Sequence, residues 1–167
     1  LLLMKHIKDY AKGRVLDMGT GSGIQAGEAS KYADTVAVDI NPKAIEHCKK
    51  VIKNVDFKIS DLFENVEGKF DLIIFNPHYL PLDEREPEDS REATTGGKKG
   101  FETIERFLDK AGEYLKKDGV ILLLFSTLSN VDKVNEIILK NNFKSKEIDR
   151  QKLFFEELIV YEIKWEI

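Results

Sequence analysis

Cysteine is nearly absent from this sequence, and its scarcity excludes several classes of protein. Cys48 is the single cysteine among 167 residues, so no disulfide can form within the chain and no zinc site can be built from several cysteines. The histidines and acidic residues show no metal-ligand spacing either, and we predict no metal site. A chain without disulfides is typical of a reducing interior, which predicts a cytoplasmic protein.

Long hydrophobic runs and an excess of positive charge are also missing. No apolar stretch approaches the roughly 20 residues that a helix needs to cross a bilayer, so we expect no membrane association. Lys and Arg number 26 against 30 Asp and Glu, which gives a net charge of -4. A protein that grips a nucleic acid by its phosphates usually shows a basic face. The balance therefore favours a protein or small-molecule substrate and makes a nucleic-acid substrate unlikely.

Apolar residues make up 42% of the sequence, enough for a substantial core, and no linker or repeat divides the chain. We therefore predict one domain over residues 1–167. Apolar patterning predicts seven strands, at Arg14–Met18, Thr35–Asp39, Val55–Ser60, Phe70–Phe75, Val120–Phe125, Phe143–Arg150 and Leu158–Lys164. Helical spacing predicts four helices, at about Ile24–Lys31, Pro42–Lys53, Phe101–Lys116 and Val131–Asn141. Strands that alternate with helices predict an α/β fold with parallel inner strands, and the short connection between the last two suits an antiparallel hairpin.

A glycine-rich turn follows the first predicted strand. Gly19, Gly21 and Gly23 allow positive φ angles and close approach of a ligand, and the next helix offers free N–H groups to an anion. A pyrophosphate would suit that position, and so would the carboxylate of S-adenosylmethionine. The spacing G-x-G-x-G differs from the dinucleotide fingerprint G-x-G-x-x-G. Asp17 is suited to a ligand ammonium, and Asp39, about 20 residues downstream, to a ribose hydroxyl pair.

A second motif, Asn76-Pro77-His78-Tyr79, follows the fourth predicted strand, which should neighbour the first. An amide or exocyclic amino nitrogen is a poor nucleophile because its lone pair is delocalised. Two acceptors, the side-chain oxygen of Asn76 and the carbonyl of Pro77, would orient that lone pair at a methyl carbon. Tyr79 would offer a flat wall to a planar group. Asn76, Pro77 and Tyr79 are therefore the predicted catalytic residues, and Asn76 also borders the cofactor.

These motifs resemble those of the HemK-like methyltransferases, which methylate the glutamine of the Gly-Gly-Gln loop in peptide-chain release factors. The segment Asn76-Pro77-His78-Tyr79 is similar to their N-P-P-Y signature, and Gly19–Gly23 and Asp39 are similar to their cofactor motifs. The resemblance extends over nearly the whole chain and is strongest to the short archaeal and eukaryotic branch. It implies S-adenosylmethionine as cofactor, a release factor as substrate, and a small zinc-binding activator subunit as partner.

The same resemblance implies roles for two further residues and for the closing strands. In class I methyltransferases an acid at the position of Asp61 bonds the adenine amino group, and the next apolar residue, here Leu62, packs on the ring. The closing strand pair is also similar to that fold, in which the last strand runs antiparallel. The implied architecture is a doubly wound, Rossmann-like, seven-stranded sheet that is mostly parallel.

Three other functions stay open at this level. Adenine also offers a planar amino group, so an adenine N6-methyltransferase acting on RNA or DNA is the nearest rival. His78 replaces the second proline of the family signature, which leaves room for a cofactor-binding but inactive partner subunit. An NAD-dependent oxidoreductase is a more distant reading of the glycine turn. The charged segment Asp83–Glu92 is interpreted as a solvated loop or as a lid. The lid would lie beside the crevice that the glycine turn and the Asn76-Pro77 motif share, with Gly96, Gly97 and Gly100 as its hinge.

Overall fold

The structure, a computed structural model, describes residues 2–77 and 100–167. The strands in these ranges are β1 Arg14–Met18, β2 Asp34–Asp39, β3 Val55–Ile59, β4 Phe70–Phe75, β5 Leu115–Ser126, β6 Phe143–Lys152 and β7 Glu157–Trp165. The helices are α1 Met4–Tyr10, α2 Ile24–Ala29, α3 Pro42–Val51, α4 Glu102–Ala111 and α5 Val131–Lys140, with a 3-10 turn at Thr127–Ser129. His78, Tyr79, Gly96, Gly97 and the charged segment Asp83–Glu92 lie outside the described residues.

The strands form one seven-stranded sheet in the order β3-β2-β1-β4-β5-β7-β6. Strands β1 to β5 pair in parallel, whereas β7 is antiparallel to both β5 and β6. This confirms the predicted α/β class, the mostly parallel sheet and the antiparallel last strand. The chain leaves β1 in one direction towards β2 and returns on the other side as β4, so the switch point of the sheet lies between β1 and β4.

Helices cover both faces of the sheet because alternate residues of each central strand point to opposite sides. Leu16 of β1 and Ile73 of β4 belong to the larger core, which α4 and α5 close with Ile104, Phe107, Val134 and Ile137. Val15 and Leu72 face the other way, against Leu3 and Ile7 at the start of the chain. Three layers therefore hold the central strands rigidly, which fixes the positions of the loops at their carboxyl ends.

The start of α3 illustrates how local sequence sets an element. Asn41 is the N-cap, and its side-chain oxygen accepts the backbone N–H of Lys43 at 3.0 Å. Pro42 occupies the first helical position, where its missing N–H costs nothing. The helix starts at Pro42 as predicted and ends at Val51, two residues before the predicted Lys53.

Helix α4 ends earlier than predicted, at Ala111 instead of Lys116. Leu115 fits the helical spacing, but it pairs with Phe70 at the start of β5, and the carbonyl of Tyr114 accepts the N–H of Phe70 at 2.8 Å. Strand pairing therefore overrides helical periodicity here, and β5 begins five residues before the predicted Val120.

Helix α1 was not among the predicted elements. It is bound to the β6–β7 side of the sheet, where His6 bonds Asp149 at 2.6 Å and Tyr10 donates to Glu162 at 2.6 Å. Its buried Ile7 completes one face of the core. No helix in the described part of the chain is long and apolar enough to cross a membrane.

Candidate active site

The glycine turn after β1 leaves one face open and packs the other. Gly19, Gly21 and Gly23 have φ angles of 70°, 55° and 83°, which L side chains adopt only with strain. A Cβ on Gly23 would lie 2.6 Å from Ile52 Cδ1 and 3.0 Å from Cys48 Sγ. A Cβ on Gly21 would meet no heavy atom of the described residues within 4 Å. Gly23 is therefore required for packing, and Gly21 keeps a surface of the turn free.

Cys48 supports the turn from below. Its side chain is fully buried, and the thiol donates to the carbonyl of Gly21 at 3.3 Å. Burial raises the pKa of the thiol, with the carboxylates of Asp39 and Asp17 adding to the effect. A buried thiol of raised pKa is a poor nucleophile, so the structure assigns Cys48 to packing.

Asp17 brings a buried carboxylate to this edge, at 2% exposure. Burial raises its pKa from 3.8 to about 7, against the opposing effects of hydrogen bonds from Thr20 and the backbone of Ala26, and the nearby Asp39 carboxylate raises it further. The hydroxyl of Thr20 donates to Asp17 Oδ2 at 2.7 Å. Thr20 was not among the predicted site residues, and its only sequence signal is a hydroxyl between two glycines of the turn.

Asp39 connects the end of β2 to the glycine turn. Its Oδ2 accepts the N–H of Gly21 at 2.9 Å, and its Oδ1 accepts the N–H of Asn41 at 2.9 Å. Each carboxylate oxygen keeps a second lone pair, so the side chain can still accept from hydroxyl groups of a ligand. The two loops are thus held in fixed relation before any ligand arrives.

Asp61 and Leu62 occupy the turn after β3. The Asp61 carboxylate pairs with Arg106 of α4, with Nη2 at 3.2 Å from both oxygens. Leu62 has a φ angle of 51° and packs its half-buried side chain against the larger core. Ser60 fixes this strained turn, since its hydroxyl donates to the Leu62 carbonyl at 2.6 Å and accepts the N–H of Asn65 at 2.9 Å.

Asn76 and Pro77 follow β4, next to the glycine turn. Phe75 is in register with Met18, so Asn76 and Gly19 are the residues that come next on neighbouring strands. Parallel strands lie roughly 5 Å apart, which places the two backbones side by side. Asn76 is exposed and Pro77 is buried. The third predicted catalytic residue, Tyr79, lies outside the described residues.

The structure therefore brings the predicted cofactor residues and the Asn-Pro pair to the carboxyl edge on either side of the switch point. They come from β1, β2, β3 and β4, strands that are consecutive in the chain. Their roles stay predictions. Among residues 2–77 and 100–167 no three His, Cys, Asp or Glu side chains form a group that could hold a metal ion.

Proteins with known names are similar to this chain in sequence over most of its length. The family model described as "Methyltransferase small domain" matches residues 1–156. A Methanocaldococcus jannaschii protein, provisionally named a protein N5-glutamine methyltransferase, is 41% identical over 96% of this chain and 85% of its own length. The release factor glutamine methyltransferase of Koribacter versatilis is 34% identical over 78% of this chain, and the ribosomal RNA small subunit methyltransferase C of Idiomarina loihiensis is 28% identical over 84%. The chain spans 52% and 40% of the length of these two bacterial relatives.

A solved structure gives the same fold. The E. cuniculi Mtq2–Trm112 complex, which is responsible for methylation of the termination factor eRF1, superposes with a TM-score of 0.79 over 98% of this chain and 92% of the matched one. Sequence identity in that superposition is 22%, so the likeness is one of architecture. The family match over residues 1–156 and the archaeal relative show that the chain belongs to the methyltransferase small domain family, enzymes of class I fold that use S-adenosylmethionine.

Proposed function

We propose that this protein transfers a methyl group from S-adenosylmethionine to the side-chain amide of the glutamine in the Gly-Gly-Gln loop of a peptide-chain release factor. The observation that carries the proposal is the position of Asn76-Pro77, which ends β4 beside the glycine turn of β1. The name of the archaeal relative at 41% identity supports the choice of a glutamine amide.

The residues around the glycine turn suit the cofactor. The open face of Gly21 leaves space for a ligand against the backbone, and the buried Asp17 is suited to an ammonium group, which would restore its charge. Asp39 is oriented by two backbone N–H groups and can accept the ribose hydroxyls. Asp61 is the candidate for the adenine amino group and Leu62 for the face of the ring. Asp61 would then have to accept from the ligand with the lone pairs that Arg106 leaves free.

The Asn-Pro pair suits the acceptor. The bound cofactor supplies an electrophilic methyl group, so the task of the protein is to present the amide nitrogen in line with it. The Asn76 side-chain oxygen and the Pro77 carbonyl each accept one hydrogen of the substrate NH2 group, which turns the nitrogen lone pair towards the donor. A proton leaves the nitrogen after transfer. Tyr79 is proposed as the wall that keeps the amide plane in place, and His78 as a tolerated change in the loop.

An adenine N6-methyltransferase acting on RNA is the second candidate, and the name of the ribosomal RNA relative supports RNA as the kind of substrate. That relative is less similar, and the chain spans 40% of its length. The net charge of -4 opposes binding along a phosphate backbone. The protein substrate therefore remains the proposal.

A small zinc-binding activator is proposed as partner, in the cytoplasm. The architecture is that of the Mtq2 subunit, which was solved as a complex with Trm112. If this chain has such a partner, co-expression should raise its solubility and its activity, and the two should elute together in gel filtration.

Incubation with labelled S-adenosylmethionine tests the proposal. Purified release factor and total ribosomal RNA of the source organism should be offered separately, with and without the activator. We expect label in the release factor and none when its Gly-Gly-Gln glutamine is replaced by Ala. Label in RNA alone would refute the protein substrate. No label in any fraction, with cofactor binding intact in calorimetry, would favour the inactive partner subunit.

A further inference from the structure

We infer that the tip of the β6–β7 hairpin is a docking surface for the body of the substrate polypeptide. The hairpin tip is defined here as Leu153–Glu156. Phe154 and Phe155 are 90% and 82% exposed, and their rings meet edge to face at a centroid distance of 4.4 Å. The inference rests on the proposed function, because it assigns a second contact of the same protein substrate.

The hairpin tip lies at the same edge of the sheet as Asn76. Strand β6 is antiparallel to β7, and β7 is antiparallel to β5, so β6 ends on the edge where β4 and β5 end. Phe75 pairs with Leu123, so Asn76 lies level with Leu124. Leu124 pairs with Val160, which is five or six residues along the chain from the two phenylalanines. At roughly 3.3 Å per residue, and three strands across from β4, the tip is on the order of 20 Å from Asn76. It is too far to touch the reacting amide but within the footprint of a bound protein.

The tip is built rigidly enough to present two rings. The N–H of Leu153 donates to the carbonyl of Glu156 at 2.8 Å, and the N–H of Glu157 donates to Thr127 Oγ1 at 3.0 Å, which ties the hairpin to the turn after β5. Large exposed apolar side chains held together on a rigid element are typical of interaction sites, since their exposure stabilises nothing in the free protein.

Charges around the tip favour a polypeptide over a nucleic acid. The Arg150 guanidinium is bonded to carboxylates on both sides, Glu147 at 2.7 Å and Glu157 at 2.6 Å, so it is committed within the hairpin. Lys152 and Glu156, which flank the two rings in the sequence, carry opposite charges, so the tip has no basic excess to hold a phosphate backbone. A partner that inserts an apolar side chain between the rings would bury their exposed surface.

The test compares Phe154→Ala/Phe155→Ala with Leu139→Ala. Leu139 is 67% exposed and lies near the end of α5, at the opposite edge of the sheet. We expect the double variant to raise KM for the intact release factor at least tenfold, with kcat, cofactor affinity and melting temperature unchanged. A short peptide containing the Gly-Gly-Gln loop cannot reach the tip, so its kcat/KM should be the same for both variants and wild type.

Each alternative result has a distinct meaning. A release-factor KM within twofold of wild type would overturn the docking surface and leave the proposed function intact. A wild-type enzyme that binds cofactor but methylates neither release factor nor peptide would overturn both. Loss of RNA binding, or of the activator subunit in gel filtration, with release-factor kinetics unchanged, would assign the hairpin tip to another partner and refute the inference.

Discussion

At the β1–β2 side of the carboxyl edge polar groups are buried and bonded to one another, whereas at the β6–β7 side aromatic rings stand in solvent. Asp17 is 2% exposed and bonded to Thr20, and Asp39 spans two loops. Phe154 is 90% exposed. Preorganised polar groups suit a small charged ligand, because these side chains are already ordered in the folded protein and lose little conformational entropy on binding. Exposed rings suit a large partner that buries them on contact.

Asn76 lies between the two sides, and its substitution is expected to have the largest effect on activity. Asn76→Ala removes one of the two acceptors that orient the substrate amide, so kcat for release-factor methylation should fall about 10²- to 10³-fold, while cofactor affinity in calorimetry stays within about threefold. Asn54→Ala, at an exposed position just before β3 on the opposite edge, is the control and should behave as wild type. A variant at position 76 with more than half of the wild-type kcat would refute its assigned role.

Asp17→Asn should give the next largest effect, on cofactor affinity. The ionised carboxylate is the form that a ligand ammonium selects, so wild-type affinity should fall about tenfold per pH unit below the Asp17 pKa of about 7. The variant should bind about 10- to 100-fold more weakly at pH 8 and lose this dependence. Asp34→Asn, at an exposed acid on the opposite edge, should retain both. Calorimetric titration between pH 5.5 and pH 8 measures the affinity of each protein for the cofactor. We expect the loss of affinity to be on the order of a hundredfold at most.

The same substitution should stabilise the protein without cofactor. A raised pKa means that protonated Asp17 stabilises the fold below pH 4 and that this contribution is lost as the pH rises through about 7. The difference from the ordinary value of 3.8 corresponds to about 4 kcal/mol as an upper limit. The asparagine side chain of the variant cannot ionise, so the variant should melt at a higher temperature than wild type at pH 8 and like wild type at pH 4. If Asp17→Asn were less stable than wild type at pH 8, the conclusion that the ionised carboxylate of Asp17 destabilises the fold would be wrong.

Gly21→Ala and Gly23→Ala form a matched pair within the turn. Both place a Cβ at a positive φ angle, at a cost of about 1–2 kcal/mol. Only at Gly23 does the new methyl group collide with Ile52 and Cys48, so this variant should lose about 1–3 kcal/mol more in chemical denaturation. Gly21→Ala should instead lose little stability and weaken cofactor binding about tenfold or more. Equal effects of both variants on stability and binding would refute the open face of Gly21.

The smallest expected effect concerns the fastening of α1 to β6. Hydrogen bonds from His6 and Lys5 lower the pKa of Asp149 to about 2, so its contribution to stability is present above pH 4 and is lost as the pH falls through about 2. Asp149 is partly exposed, and Asp149→Asn should cost only about 1 kcal/mol at pH 7. Cofactor affinity should not change, because the pair lies far from the glycine turn. A tenfold loss of affinity would show that the two sides of the edge are coupled.

The sequence predicts the central sheet well because its strands are set by local patterns. β1 and β4 begin and end at the predicted residues, and α3 starts at Pro42 as expected. The end of α4 was missed because Leu115 satisfies both helical spacing and strand pairing, and only the ladder to Phe70 decides between them.

The site was only partly predictable for a similar reason. Glycines and acids at fixed spacing indicate a ligand turn, but the bond from Thr20 to Asp17, three residues before it, depends on the backbone conformation of that turn. The bond from Cys48 to Gly21 joins residues that only the fold brings together. Phe154-Phe155 can be recognised in the sequence as part of a turn between strands. Its place at the same edge as Asn76 depends on the antiparallel last strand, which brings the end of β6 to that edge.

Peptide mapping by mass spectrometry of the release factor, after incubation with enzyme and S-adenosylmethionine, identifies the atom that receives the methyl group. We expect a single methyl group on the side-chain amide nitrogen of the Gly-Gly-Gln glutamine with wild type and with Asn54→Ala, and none above background with Asn76→Ala. Methylation of a lysine, an arginine or a backbone nitrogen, or unchanged methylation by Asn76→Ala, would contradict an Asn-Pro pair that orients a planar amide.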